Sequence, residues 1–309
     1  LRQEQLIIQQ ESLRLAEDLL VNNRARVEAG ILAPIEILSA SAGVAARREA
    51  VIVAENDLVN AEDNLKRILE LREDERLWDV HIVPAEKPEY VPQDVNTQKS
   101  LRVAKKWRPE FQRLELSFEN NELNVEYAEN QLKPQLDLSV GAWTSGLGGD
   151  TDDSIEWLDD GEFVSYTAAL QFSYPLGNNA AEARLKRAKL RAQHSQSSLD
   201  DLHRAVELQV RTACREIETN RQRIEANDVA VDLAEERLRA EEEALRVGMA
   251  TSHDVLDFQE DLTIARGQYT QSVIDHIVSI SQLEYAQGTL PESLGFQIQG
   301  QNEEGRTSR

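Results

Sequence analysis

The sequence predicts a mainly α-helical chain of very long antiparallel helical hairpins with one β-hairpin set among them. Three observations predict it. From Asn178 to Val247 there are 70 residues without glycine or proline, which as one helix would span roughly 105 Å at 1.5 Å per residue. Within that stretch Val210, Ile217, Ile224, Val231, Leu238 and Leu245 recur every seven residues, a helical period, whereas the period drops to two only around residues 136–142 and 166–174. The third observation is an internal repeat at an ungapped offset of 218 residues. Leu15, Ala16, Glu17, Leu20, Gly30, Leu38, Asp57 and Leu65 fall on Leu233, Ala234, Glu235, Leu238, Gly248, Leu256, Asp275 and Leu283.

The first hairpin occupies residues 1–77. Its outgoing helix carries the seam Leu6, Leu13, Leu20 and Val27, reaches Gly30, breaks at Pro34, and returns with Ile37, Val44, Val51, Leu58 and Leu65. Residues 78–98 hold Pro84, Pro88 and Pro92 without a heptad and read as an irregular crossing segment. Helix resumes over 99–133, with a turn at Arg108-Pro109. Residues 134–176 form the β-hairpin: Leu136, Leu138, Val140 and Ala142 face one way, as do Tyr166, Ala168, Leu170, Phe172 and Tyr174. Their connection, 144–162, is rich in glycine and acids and reads as a solvated loop. The second long hairpin fills 177–290, returning after Gly248 with Val255, Leu262, Tyr269, His276 and Leu283. There Thr251 or Ser252 suits the N-cap of the return helix. The companion seam of its outgoing helix, Ala213, Asn220, Asn227, Ala234 and Glu241, is small or polar, which suits close packing around something larger than a dimer axis. Residues 291–309 read as a disordered tail.

Composition narrows the function. With 56 acidic and 34 basic residues the net charge is −22, so the basic footprint of a nucleic-acid binder is missing. No apolar run is long enough for a membrane-crossing helix. The single cysteine, Cys214, cannot form an internal disulfide or a cysteine-based zinc site. His81, His194, His203, His253 and His276 lack ligand-pair spacing, and His276 in a seam reads as a packed residue. No metal, cofactor, nucleophile–base arrangement or phosphate loop is indicated, so an enzyme is not expected. Leu1 is not an initiator methionine and the residues that follow carry no basic start with an apolar core, so there is no signal peptide to read and the chain reads as a fragment or mature piece.

A lone strand pair with an apolar face is unstable in water, and the helices are too polar to bury it. If several chains pool their strands into a closed barrel, the apolar faces meet lipid and every backbone group is paired. The amphipathic helices would then continue the pore as a hollow α-barrel. The residues Val247-Gly248, Thr251, Asp254-Val255-Leu256-Asp257, Leu262, Ala265, Tyr269 and Ala286-Gln287-Gly288-Thr289-Leu290 resemble the second-repeat hairpin of the TolC-like outer-membrane efflux family. Arg108-Pro109-Glu110, Leu132-Lys133-Pro134 and Tyr174-Pro175-Leu176-Gly177 match it further, and the resemblance spans about residues 1–290. It implies a homotrimeric passive duct for efflux or type I secretion, with a β-barrel in outer-membrane lipid on a long periplasmic α-barrel. The implied partners are a periplasmic adaptor protein and an inner-membrane pump of RND or ABC type. One strand pair is present where the family has two, so the chain as it stands cannot complete the barrel. The alternative is a structural or adaptor coiled-coil protein of the periplasm without a pore.

Asp254 and Asp257 lie three residues apart on one face of the return helix, where acids either complement the helix dipole or, stacked in an oligomer, ring a constriction that attracts cations. The resemblance favours the ring and adds Glu36, which the repeat aligns with Asp254. It also places adaptor contacts at the hairpin tips, Val27, Gly30, Leu245 and Gly248. A tyrosine and an arginine that help lock the closed state in the family are replaced here by Leu245 and Ala250, which predicts a different or looser lock.

Overall fold

Glycine and seven-residue spacing do the sorting in the structure as they do in the sequence. This computed structural model describes residues 1–70, 80–85, 87–144 and 164–296. The helices are α1 (Arg2–Glu28), α2 (Ile35–Ile68), α3 (Thr97–Trp107), α4 (Pro109–Asn130), α5 (Asn179–Arg246), α6 (Ser252–Gln287) and the single turn α7 (Leu290–Ser293), with strands β1 (Gln135–Thr144) and β2 (Val164–Ser173). The end of the first hairpin at 71–77 and most of the acidic loop expected at 144–162 lie outside the described residues.

The chain divides into two compact units, Leu1–Trp107 with Val206–Arg309, and Arg108–Ala205. In the first, α1 packs on α2 and α6, and α2 and α3 also pack on α6. The α5–α6 pair is antiparallel: Asn220 Nδ2 donates to the Asp275 carbonyl at 3.1 Å, and Asn227 Nδ2 to that of Gln268 at 3.2 Å. The core near the tips gathers Ala16, Leu19, Val44, Leu238, Leu245, Val255, Leu256 and Leu262.

The seam of α5 is buried at five of its six expected positions, Val210, Ile217, Ile224, Leu238 and Leu245 being 5 % exposed or less, while Val231 is half-buried at the margin of the core. The seam expected for α1 is corrected. Leu6, Leu13, Leu20 and Val27 are half-buried, and the buried stripe is Ser12, Ala16, Leu19 and Asn23. Because α1 touches two neighbours, its buried face centres between them, where small side chains allow close approach, and Leu13 and Leu20 pack at the margin of the core. Leu65, expected in the return seam, is exposed.

Both tips close the same way. Gly30 and Gly248 take φ of +69° and +81°, which a Cβ disfavours. The amides of Ile31 and Met249 then donate back to the carbonyls of Arg26 and Ala244, both at 2.8 Å. These are helix ends satisfied by a left-handed glycine. Helix α3 starts where the Asn96 side chain accepts the amide of Lys99, and α4 starts on Pro109, whose missing N–H costs nothing there. Of the tail expected to be disordered over 291–309, the first residues are structured: after Gly288 ends α6 in a left-handed turn, α7 starts at Leu290 with Pro291 in its first turn, and Ser293 Oγ donates to Glu284 Oε2 at 2.8 Å. Residues 297–309 lie outside the described residues.

In the second unit α4 runs antiparallel to the first part of α5, with Asn121 Nδ2 donating to Ser195 Oγ at 2.7 Å and Lys189 paired to Glu129 at 2.9 Å. Strands β1 and β2 pair antiparallel with Leu136 opposite Phe172, Leu138 opposite Leu170, Val140 opposite Ala168 and Ala142 opposite Tyr166. The two alternations therefore coincide on one face. The opposite face carries Asp137 beside Gln171, Gly141 beside Thr167, and Trp143 beside Ser165.

The two helical hairpins approach closely at Gly43 of α2, where an added Cβ would lie 2.6 Å from Leu256 Cδ2 of α6. Gly43→Ala should cost about 1–3 kcal/mol through overpacking, read as a lowered thermal unfolding midpoint of the complete protein. An unchanged midpoint would mean that the helices do not meet this tightly.

Candidate functional site

The sequence-predicted residues converge on the hairpin tips, where four helix ends meet and each must satisfy orphan backbone groups. Helix α6 begins with a capping box: Thr251 Oγ1 accepts the Asp254 amide at 3.3 Å, while Asp254 Oδ2 accepts the Thr251 amide at 2.8 Å and its hydroxyl at 2.7 Å. These bonds hold the Asp254 carboxyl below the usual range, the Thr251 side chain contributing most. Asp257 is exposed, with His253 Nδ1 at 3.5 Å from its carboxylate.

Glu36 acts on the same helix start from the other hairpin. Its own helix starts at Pro34 without a side-chain cap, and its Oε2 reaches across to accept the amide of Ser252 at 2.8 Å. Equivalent positions in the two repeats thus both cap the start of α6, Asp254 from within and Glu36 from the other hairpin. Asn23, 1 % exposed, completes the junction by donating through Nδ2 to Ser252 Oγ at 2.7 Å and to the Glu36 carbonyl at 3.3 Å.

The other end of the second hairpin is capped from the first as well. Arg26 donates to the carbonyls of Leu245 and Arg246, at 3.2 and 2.9 Å, where α5 ends. A carboxylate at a helix start and a guanidinium at a helix end both complement the helix dipole. Asn23 and Arg26 were not singled out from sequence. The available signal was slight: Arg26 lies one turn and Asn23 two turns before Gly30, at heptad positions that already carry other polar residues.

Of the tip residues, Gly30 and Gly248 are exposed, Val27 is half-buried, and Leu245 is buried in the core. The solvent-facing apolar side chains there are Ile31, Ile35, Val247 and Met249. Ala250, half-buried, packs at the margin of the core. Farther from the tips, His276 is 1 % exposed and meets Tyr90 edge-on, with ring centroids 5.2 Å apart. Among the described residues no group of three or more His, Cys, Asp or Glu is placed to hold a metal ion, and no helix is long and apolar enough to cross a membrane.

Long helical hairpins joined at their tips and a membrane-length strand pair with one apolar face define the class: an outer-membrane channel subunit fold. The Outer membrane efflux protein family model matches residues 101–273, and the chain belongs to that family. Outer membrane protein TolC of Salmonella enteritidis is 28 % identical over 171 residues, covering 54 % of this chain and 35 % of that protein. Among solved structures, the CmeC outer membrane channel of Campylobacter jejuni superposes with a TM-score of 0.70 at 15 % identity, covering 94 % of this chain and 60 % of that one. The outer membrane protein VceC of Vibrio cholerae gives 0.71 at 16 % identity, covering 93 % and 66 %. The chain therefore spans about a third of the length of the TolC relative and under two thirds of these channel chains.

Because the Asp254 carboxyl is depressed on folding, its capping bonds contribute stability above its ordinary value near 3.8 and lose it as pH falls through the folded value. As pH falls below that ordinary value, the protection of the amides at the start of α6 against hydrogen exchange, relative to an unstructured chain at the same pH, should therefore fall. Asp254→Asn should remove that acid-dependent change, and persistence of the change in the variant would assign it to another group.

Proposed function

We propose that this chain is part of an outer-membrane channel subunit, the passive exit duct of an efflux or type I secretion system. The observation that carries the reading is the exposed apolar face of the strand pair. Leu136, Leu138, Val140, Tyr166, Leu170 and Phe172 are each more than 60 % exposed, in strands of ten residues, the length a tilted strand needs to cross the hydrocarbon layer. In water that face is a large liability; in lipid it is the surface required.

The helices support the same reading. Beside its buried seam, α2 exposes Leu38, Ile52 and Val59 at multiples of seven residues, a second apolar line that a neighbouring copy would cover. A homotrimer with its strands in outer-membrane lipid and its helices in the periplasm satisfies both surfaces. The tips are the surface offered to a periplasmic adaptor through Gly30, Gly248 and the half-buried Val27, with Leu245 packed beneath them in the core, and an inner-membrane pump of RND or ABC type supplies the energy. Asp254 and Asp257 form acidic rings at the narrow end. Glu36 belongs to the same gate by holding the α6 N-terminus from the neighbouring hairpin. The duct itself carries out no chemistry.

The full-length protein containing this chain, purified and reconstituted in planar bilayers, should give cation-preferring conductance. Asp254→Ala with Asp257→Ala should lower that preference and weaken block by multivalent cations. Unaltered selectivity would remove the acid rings. Failure of the wild-type protein to conduct would favour the poreless coiled-coil alternative.

A further inference from the structure

Arg47 of α2 is 9 % exposed, yet among the described residues its guanidinium makes no ion pair with a carboxylate. Its Nη2 donates to the Leu256 carbonyl of α6 at 2.7 Å, and its Nε is buried without a partner. Burying a cation on a single neutral acceptor is unfavourable, since hydrogen-bonded and paired geometry is what ordinarily offsets lost hydration. Desolvation accordingly lowers its proton affinity, and the charges that oppose this are Glu260 and Asp257, nearest along α6.

The arrangement is tightly built. One turn before Arg47, Gly43 admits the Leu256 side chain into the space its own Cβ would fill. The guanidinium is thereby fixed against the carbonyl of the residue preceding Asp257. On α6 the acids Asp254, Asp257 and Glu260 follow at intervals of three, along one helix face. The positive charge sits within the protein while the acids stand at its surface.

We propose that Arg47 is the fixed countercharge of the acidic constriction, setting how strongly Asp257 and Glu260 attract cations. This rests on the channel reading and adds to it a selectivity-setting residue that is not itself in the ring. A charge held in the wall is screened by salt far less than one on a solvated side chain, so its contribution persists where exposed lysines would be neutralised by counterions. In an oligomer each copy supplies one such cation behind its acids. Arg47 thereby keeps the constriction from holding a passing cation too firmly, since conduction needs binding weak enough to release.

The test is reversal-potential measurement on the full-length channel in a salt gradient. Arg47→Met, which keeps the stem and removes the charge, should raise the cation-to-anion permeability ratio about twofold. Arg47→Lys should stay near the wild-type ratio, and Asp257→Asn should lower it. A purely structural role for Arg47 predicts instead that Met and Lys variants behave alike. An Arg47→Met channel with the wild-type ratio, while Asp257→Asn lowers that ratio, overturns the proposal and leaves the acid ring intact. No effect of Asp257→Asn or Asp254→Asn overturns the ring itself and the proposal with it. Should Arg47→Met fail to assemble, Arg47→Gln removes the same charge while keeping a polar group for the Leu256 carbonyl: a raised ratio supports the proposal, an unchanged one overturns it.

Discussion

A two-stranded antiparallel sheet satisfies only half of its backbone groups, and the rest of this molecule depends on that fact. Along β1 and β2 alternate amides and carbonyls point outward from the pair, and the apolar side chains of both strands lie on one face. The unpaired backbone groups are unfavourable in hydrocarbon and the apolar face is unfavourable in water. Closing a barrel with strands from elsewhere pairs the edges, and lipid receives the apolar face. On the proposed channel reading the strands are a fraction of a larger sheet, and the helices attached to them surround a lumen.

The helical unit answers a different constraint, that of ending four helices close together. Each helix end exposes unpaired amides or carbonyls, and here the first hairpin supplies side chains that satisfy both helix ends at the tip of the second. Glu36 serves the α6 N-terminus and Arg26 the α5 C-terminus, while Asn23 and Ser252 join the two hairpins in the interior. The repeat is therefore not two independent copies. Asp254 and Glu36 occupy matching positions in the two copies and yet serve one helix, because α2 starts on a proline and α6 on a threonine.

Much of this was legible in the residues. The heptad of α5, the two glycine tips and the coincident apolar faces of β1 and β2 follow from period and from the left-handed turn that glycine tolerates. The buried stripe of α1 was not legible, since a helix that contacts two neighbours buries the flank shared between them, Ser12, Ala16, Leu19 and Asn23, and a seven-residue count gives no sign of that. Nor were the roles of Asn23 and Arg47. Their partners, Ser252 and Leu256, lie more than 200 positions away. A polar residue in a helix looks the same whether it faces solvent or clasps another helix. Glu36 was found by its alignment with Asp254, but its bond to the Ser252 amide depends on tertiary geometry.

The most direct measurement is amide hydrogen exchange along β1 and β2 in the full-length protein in lipid. Incorporation into a closed barrel protects every amide of both strands, including those that point away from the partner strand within this pair. An alternating pattern, with the outward amides of β1 and β2 exchanging at solvent rates, would show that the strand pair stands alone and that no barrel is formed.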